Sequence, residues 1–333
     1  MPRRPTAIAL ATAGALASTG TAYLGARNLL VGQATHARTV IPKAWDIPPR
    51  ADGVYTPGGG PVERWRRGMP ADLHLMIFGD STATGYGCIS AEEVPGVLIA
   101  RGLAERTGKR IRLSTKAIVG ATSKGVSGQV DAMFVAGPPP DAAVMMLGAN
   151  DITALNGISQ SARRLGLAVR KLRARGAVVI VGTCPDLGVI SAIPQPLRSL
   201  AHSRTSQLAR AQTAAVRSAG GVPVPLAQLL APEFRTRREL MFSPDGFHPS
   251  SVTYALAADA LLLALCDKLG EKDSEKVGEK DGEKVGDPAF DEAEPSAAPV
   301  LGQQHSQISV MSRLWRRPVP GPAPSSYPQV GSD

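Results

Sequence analysis

The sequence predicts an α/β fold in which a parallel, five-stranded sheet carries helices on both faces. Two observations lead there. Short, largely apolar runs alternate with longer amphipathic segments from Leu73 to Leu269, and alternation of this kind builds a parallel sheet rather than a sandwich or a bundle. Both flanks of that region, 1–72 and 270–333, lack periodic apolar patterning, so the chain of 333 residues holds one folded domain.

The elements follow in order. Leu73 to Phe78 is an apolar run that breaks at Gly79, which predicts a buried strand ending there, with a loop or helix after Ser81. Val97 to Thr107 reads as a helix and Ile111 to Val119 as the second strand, ending in Gly120-Ala121-Thr122. Helix Lys124 to Val135 leads to a third strand, Ala142 to Leu147, which ends in Gly148-Ala149-Asn150-Asp151. Helix Ser161 to Arg175, strand Val178 to Gly182, helix Arg198 to Ala219, a short strand Pro223 to Leu226 and a last helix Ser250 to Leu269 complete the domain.

Three strand-end or helix-start motifs carry chemistry. Ser81, in Gly79-Asp80-Ser81, stands where a strand gives way to a loop, on the side of a parallel sheet that faces ligand. Asp245 and His248 are three residues apart, and Pro249 opens a helix immediately after. One turn of chain lets the carboxylate hold one ring nitrogen and leaves the other to take a proton from Ser81. The side-chain amide of Asn150 and the backbone N–H groups of Gly120 and Ser81 are the candidate donors to a developing oxyanion.

Phe78-Gly79-Asp80-Ser81, Gly120, Gly148-x-Asn150-Asp151 and Asp245-x-x-His248 resemble, in order and spacing, the four sequence blocks of the SGNH/GDSL hydrolase superfamily. The resemblance covers roughly residues 73–269. It implies a three-layer α/β/α, flavodoxin-like fold with strand order 2-1-3-4-5. It also implies Ser81 as nucleophile, Asp245 and His248 as the rest of the triad, and Ser81, Gly120 and Asn150 as the oxyanion hole. Thr82 stands where the leucine of the family's name often is. No Gly-x-Ser-x-Gly occurs, which argues against an ordinary α/β-hydrolase.

The activity expected is serine esterase chemistry on short- to medium-chain carboxylic esters, with thioesters also within reach of the same oxyanion hole. A carbohydrate O-deacetylase uses the same machinery, and a non-catalytic binding module on the fold is a third reading. No metal or other cofactor is expected. His36, His74, His202 and His305 have no acid at useful spacing, and three scattered cysteines make neither a metal site nor a disulfide framework, although Cys88 and Cys184 could pair.

The net charge of +9 lies largely on the body, with Arg163, Arg164, Arg170, Lys171, Arg173 and Arg175 on one helix. No nucleic-acid motif accompanies them, so a solvated face is expected and nucleic acid is not a partner. Partners reduce to a small acyl ester and a membrane or cell-wall surface, with the protein a monomer. Arg3 and Arg4 precede an uncharged stretch, Thr6 to Leu24, which reads with residues 1–26 as a signal peptide or a retained membrane anchor. Export to the cell envelope follows. Residues 27–72 read as a Pro/Gly-rich linker. In 270–333 a charged octapeptide, Gly270 to Val277, recurs at Gly278 to Val285 ahead of a Pro-rich end, and the whole reads as a disordered tail in which Val310 to Trp315 could dock.

Overall fold

The computed structural model describes residues 22–37, 39–41, 47–49 and 51–282, with side chains up to residue 272. Residues 1–21 of the amino-terminal targeting segment, and the tail beyond Gly282 with its docking motif, lie outside them.

A helix over 22–37 (α1) precedes strand β1 (Gly53–Tyr55). Then come β2 (Leu73–Gly79), the short α2 (Ser81–Thr84), α3 (Pro95–Thr107), β3 (Ile111–Thr115), α4 (Ser123–Ala136), β4 (Ala142–Met146), α5 (Ala149–Thr153) and α6 (Ile158–Arg173). After them run β5 (Val178–Gly182), α7 (Leu197–Ser218), β6 (Val222–Val224), α8 (Leu226–Thr236), α9 (Arg238–Met241) and α10 (Ser251–Gly282).

The sheet order is β1-β3-β2-β4-β5-β6. The five expected strands pair in parallel in the 2-1-3-4-5 order, but the sheet has six strands and is mixed, because β1 adds antiparallel to β3 with Gly53 opposite Leu113 and Tyr55 opposite Ile111. The stretch read as linker therefore supplies an edge strand. Its three residues are followed by Pro57 and Gly58 to Gly60, too short a run for alternation to register. They are held by the ladder to β3, by the bridge of Val54 to Glu63, and by Arg112 stacked 3.4 Å over the Trp65 ring.

Alternation along the central strands explains the three layers. Leu75 and Ile77 of β2, Val144 and Met146 of β4, and Val178 and Ile180 of β5 share one core with α3 and α10. Met76 and Phe78, Ala143 and Met145, and Val179 and Val181 point the other way, into a core with α4, α6 and α7. Both faces are covered, so these strands read as continuous apolar runs. In α10 the buried residues Tyr254, Ala257, Ala258, Leu261, Leu262, Leu265 and Leu269 recur at three- and four-residue spacing, the stripe of a helix packed along its length.

Several boundaries differ from expectation. β3 ends at Thr115 rather than Val119, and the chain beyond it is stapled to β2 by Lys116 N–H to Ile77 C=O and Ile118 N–H to Gly79 C=O. Leu226, expected in a strand, opens α8. α10 runs past Leu269 into the charged repeat. The short helices α5 and α9 carry too few residues for a period to show.

Candidate active site

β2 lies in the middle of the sheet, and the chain leaves it to pair with β3 on one side and β4 on the other. That makes the carboxyl ends of β3, β2 and β4 a switch point, where a crevice forms. Gly79 closes β2 with φ +141, and a Cβ there would lie 2.0 Å from Met146 O, so only glycine lets the two strand ends approach. The Gln129 side chain grips the Gly79 peptide at both atoms, accepting from its N–H at 3.0 Å and donating to its carbonyl at 2.8 Å. Asp80, almost wholly buried, caps α2 by accepting from Thr82 N–H at 3.0 Å and from the Thr82 hydroxyl at 2.6 Å. Ser81 is then the first residue of α2, half-buried, with its N–H at a helix start.

The two other oxyanion candidates flank it. Gly120 turns with φ +80 after β3, and no atom stands within 4 Å of where its Cβ would be. Asn150 lies in α5 after β4, and its amide donates to Ala121 O at 3.1 Å, so its position is tied to the turn that carries Gly120. Asp80 N–H to Met146 O (3.1 Å) and Ile118 N–H to Gly79 O (3.1 Å) join the three strand ends directly.

Asp151 is the site residue for which sequence reasoning assigned no role. Its buried carboxylate accepts from Ser123 N–H (2.8 Å), the hydroxyls of Ser123 and Ser161 (2.8 Å each) and the Asn156 amide (2.9 Å). It thereby pins the starts of α4 and α6 to the residue next to Asn150. Among the described residues no cation pairs with it.

The candidate base, His248, sits on the loop between α9 and α10. Asp245 Oδ1 accepts from the Ser243 hydroxyl (2.7 Å), Phe247 N–H (2.8 Å) and His248 N–H (2.8 Å), which leaves Oδ2 to hold His248 Nδ1 at 2.6 Å. Burial would raise the Asp245 carboxyl. The bonds from the His248 ring, Phe247 N–H, the Ser243 hydroxyl and His248 N–H outweigh it and keep the group well below the usual carboxylate range. With Nδ1 engaged, Nε2 is the nitrogen available for proton transfer.

The structure brings Asp245 and His248 into direct contact. Among the described residues it shows no hydrogen bond on the Ser81 hydroxyl; Ser81 and His248 are joined instead through Tyr86. The Tyr86 N–H donates to Ser81 O at 3.0 Å, and its ring centroid lies 4.3 Å from that of His248. Nucleophile–base contacts commonly tighten only when substrate fills the site.

His202, expected to lack an acidic neighbour, has Asp186 Oδ2 2.7 Å from its Nδ1, because the loop after β5 brings an acid sixteen residues away alongside α7. The pair is exposed and remote from Ser81 in the chain. Cys88 and Cys184 are free thiols rather than a disulfide; burial pushes the Cys88 thiol up to about 12 and the Cys184 thiol well up, so neither is a nucleophile at neutral pH. Among the described residues no group of three His, Cys, Asp or Glu side chains could hold a metal ion.

Residues 77–256 match the sequence profile of the GDSL-like Lipase/Acylhydrolase family. The chain belongs to that hydrolase family. A curated GDSL-like esterase of Mycobacterium tuberculosis is 73% identical over 323 residues, covering 97% of this chain and 98% of its own. Two solved structures resemble this family member more distantly. An α/β hydrolase from the metagenome of Lake Arreo, Spain, has a TM-score of 0.48 at 18% identity over 59% of this chain and 96% of its own. The esterase EstA of a Pseudoalteromonas species has a TM-score of 0.46 at 21% identity over 60% of this chain and 100% of its own.

Proposed function

We propose that this GDSL hydrolase cleaves short- to medium-chain carboxylic esters through an acyl-enzyme on Ser81. The observation that carries the reading is the His248–Asp245 pair: three donors hold one carboxylate oxygen in place so that the other fixes the imidazole with Nε2 free. Ser81 Oγ attacks the ester carbonyl carbon as its proton passes to His248 Nε2. The carbonyl oxygen becomes an oxyanion held by the N–H groups of Ser81 and Gly120 and the amide of Asn150. Collapse breaks the bond to the alcohol, which leaves with the proton from His248. Water then attacks the acyl carbon as its proton passes to His248, and collapse breaks the acyl–Oγ bond, with that proton going from His248 to Ser81 Oγ as the acid leaves. Asp245 compensates the imidazolium in both halves.

Ser81→Ala leaves His248 with nothing to activate, so kcat/KM on a soluble ester should fall by several orders of magnitude while the melting temperature holds. Comparable hydrolysis by variant and parent refutes the assignment. The proposed site lies in loops after the strands, with no long apolar insertion between Gly148 and Ser161 that could cover it, so it is read as an open groove, and chain length tests that reading. Each methylene buried in the groove adds only about 0.8 kcal/mol, so carbons beyond its reach add no binding energy, and the optimum should fall at roughly two to eight acyl carbons, for thioesters as for esters. An optimum at about sixteen carbons, measured on monomeric substrate, contradicts an open groove.

Export to the cell envelope is part of the same proposal. It is supported by Arg3 and Arg4 ahead of the uncharged stretch Thr6 to Leu24. Among the described residues no helix is long and apolar enough to cross a membrane.

A further inference from the structure

Large aliphatic side chains are exposed in loops or short helices at one end of the sheet. Ile89 follows α2 and is 86% exposed, Ile118 follows β3, Leu155 follows α5 and is 79% exposed, and Leu240 lies in α9 ahead of the His248 loop. Ile89, Ile118 and Leu155 follow the carboxyl end of a parallel strand, the end that carries Ser81, Gly120 and Asn150. Leu155 is also the one non-glycine described residue with positive φ, +55, so the chain holds an apolar residue outward in an unfavourable backbone region.

The helix α1 docks at the same end. Its Gln33 side chain accepts from Leu197 N–H at 3.0 Å and donates to Gln195 O, both in the chain that follows β5, while Ile41 just beyond α1 packs on the cluster containing Ile152, Leu187 and Ile190. Toward its start, α1 exposes Tyr23, Leu24, Leu29 and Val31. The chain before it is the uncharged stretch that begins at Thr6. Charge near these side chains is mixed: Glu239 beside Leu240 is an exposed acid, while exposed cations lie after β3. Lys116 and Lys124 are exposed after β3, whereas Glu92 is paired with Arg101 at 2.6 Å and Glu93 accepts from Ile89 N–H at 2.8 Å.

We infer that this end is apposed to a lipid surface, with the active-site mouth facing the membrane, and that the substrate is an amphiphile carrying a short acyl ester on its headgroup. The inference rests on the esterase reading for its substrate and on the exposed aliphatic side chains for its surface. A protein tethered through α1 and rimmed by Ile89, Ile118, Leu155 and Leu240 reaches esters at headgroup depth, where an open groove takes the short acyl group while the amphiphile's chain stays in the bilayer.

The test uses the full chain with Cys266→Ser to leave no accessible thiol. A polarity-sensitive fluorophore is attached at Leu155→Cys, at Leu240→Cys, or at Val135→Cys, a residue exposed at the end of α4 that leads into β4 and so at the opposite end of the sheet. Phosphatidylcholine–phosphatidylglycerol vesicles should blue-shift the first two and leave the third unchanged. A shift at none of them, or an equal shift at Val135, overturns the apposition whether or not the protein hydrolyses esters. The kinetic arm compares acetylated hexadecyl glucoside in those vesicles with soluble p-nitrophenyl acetate. Ile89→Glu with Leu155→Glu should lower turnover of the vesicle-borne ester by about tenfold while leaving the soluble ester within about twofold. Equal turnover of the vesicle-borne ester by variant and parent overturns the substrate assignment. Failure of the unsubstituted protein on both esters refutes the esterase reading and leaves the fluorophore result to judge the surface alone.

Discussion

Replacing Asp151 by alanine should be among the most damaging single changes near the site, and its damage should be to stability first. Four donors converge on this carboxylate, from Ser123 N–H, the Ser123 and Ser161 hydroxyls and the Asn156 amide, all at 2.8–2.9 Å. Ser123, Ser161 and Asp151 itself are each about 1% exposed. The Ser123 N–H cannot rotate away and at least one hydroxyl has no route to water. An unsatisfied buried polar group costs about 1 to 3 kcal/mol, so two of them with the lost charge-assisted bonds give about 3 to 5 kcal/mol. For a domain of about 200 residues that lowers the melting temperature by roughly 6 to 20 °C.

Asn150→Ala, one residue away, loses a single half-buried bond to Ala121 O and should cost about 1 kcal/mol of stability, yet lower kcat by about 100- to 1000-fold. Thermal unfolding and ester turnover measured on both variants separate the roles. Asp151→Asn, which keeps one acceptor oxygen, should lie between parent and alanine in stability. An Asp151→Ala protein melting within about 2 °C of the parent, or an Asn150→Ala protein less stable than it, would show that the hydrogen bonds around Asp151 do not hold α4 and α6 as argued.

Two further outcomes follow from the fold. Gly79→Ala would push a Cβ to 2.0 Å from Met146 O in a left-handed backbone, so it should cost about 3 kcal/mol or more in chemical denaturation; near-parental stability would mean β2 and β4 can separate without penalty. Burial and the nearby Arg112 charge lower His74 to about 4, where its Nε2 meets Ser114 Oγ at 2.9 Å. A depressed value means that the fold favours the neutral ring, so this contribution is complete above about pH 6.5 and is lost as pH falls toward 4. It amounts to roughly 2 to 3 kcal/mol after partial solvent screening, and the melting temperature of His74→Gln should fall less steeply than the parent's between those limits; parallel curves would refute it.

What the sequence made legible was whatever repeats along it. The apolar runs of β2, β4 and β5 and the stripe of α10 declare themselves because both faces of the sheet are covered. The motifs around Ser81 and Asn150 stand out because glycines end two of those runs, and Asp245 with His248 stands out by its three-residue spacing ahead of Pro249. β1 was hidden by its three-residue length, and its partner, β3, lies some sixty residues away. Asp151 was hidden for a different reason. Its partners are neutral, and nothing in a neutral Ser or Asn announces that it will be buried against an acid. The Asp186–His202 pair was missed because spacing was taken as a proxy for distance, and a loop after β5 breaks that proxy.

The active-site parts are tethered unequally, and the inequality bears on how the site works. The proposed oxyanion donors, Ser81, Gly120 and Asn150, follow the ends of three adjacent strands whose backbones bond one another, so the sheet itself holds them. His248 and Asp245 hang on a loop that is rigid within itself: Ser243 N–H bonds His248 O at 2.9 Å, and Asp245 Oδ1 takes three donors from the loop. What fixes that loop against Ser81 is Tyr86. Its N–H bonds Ser81 O, its carbonyl accepts from the Tyr254 hydroxyl at 2.7 Å, and its ring lies on the His248 imidazole, so one residue joins the Ser81 turn to His248 and to the first turns of α10. Gly87 beside it packs so closely that a Cβ would stand 3.1 Å from that of Ser243. Asp245 and His248 are therefore held to each other as a unit, and in the proposed mechanism the approach of His248 to Ser81 depends on the packing around Tyr86 as well as on the hydrogen bond inside the pair.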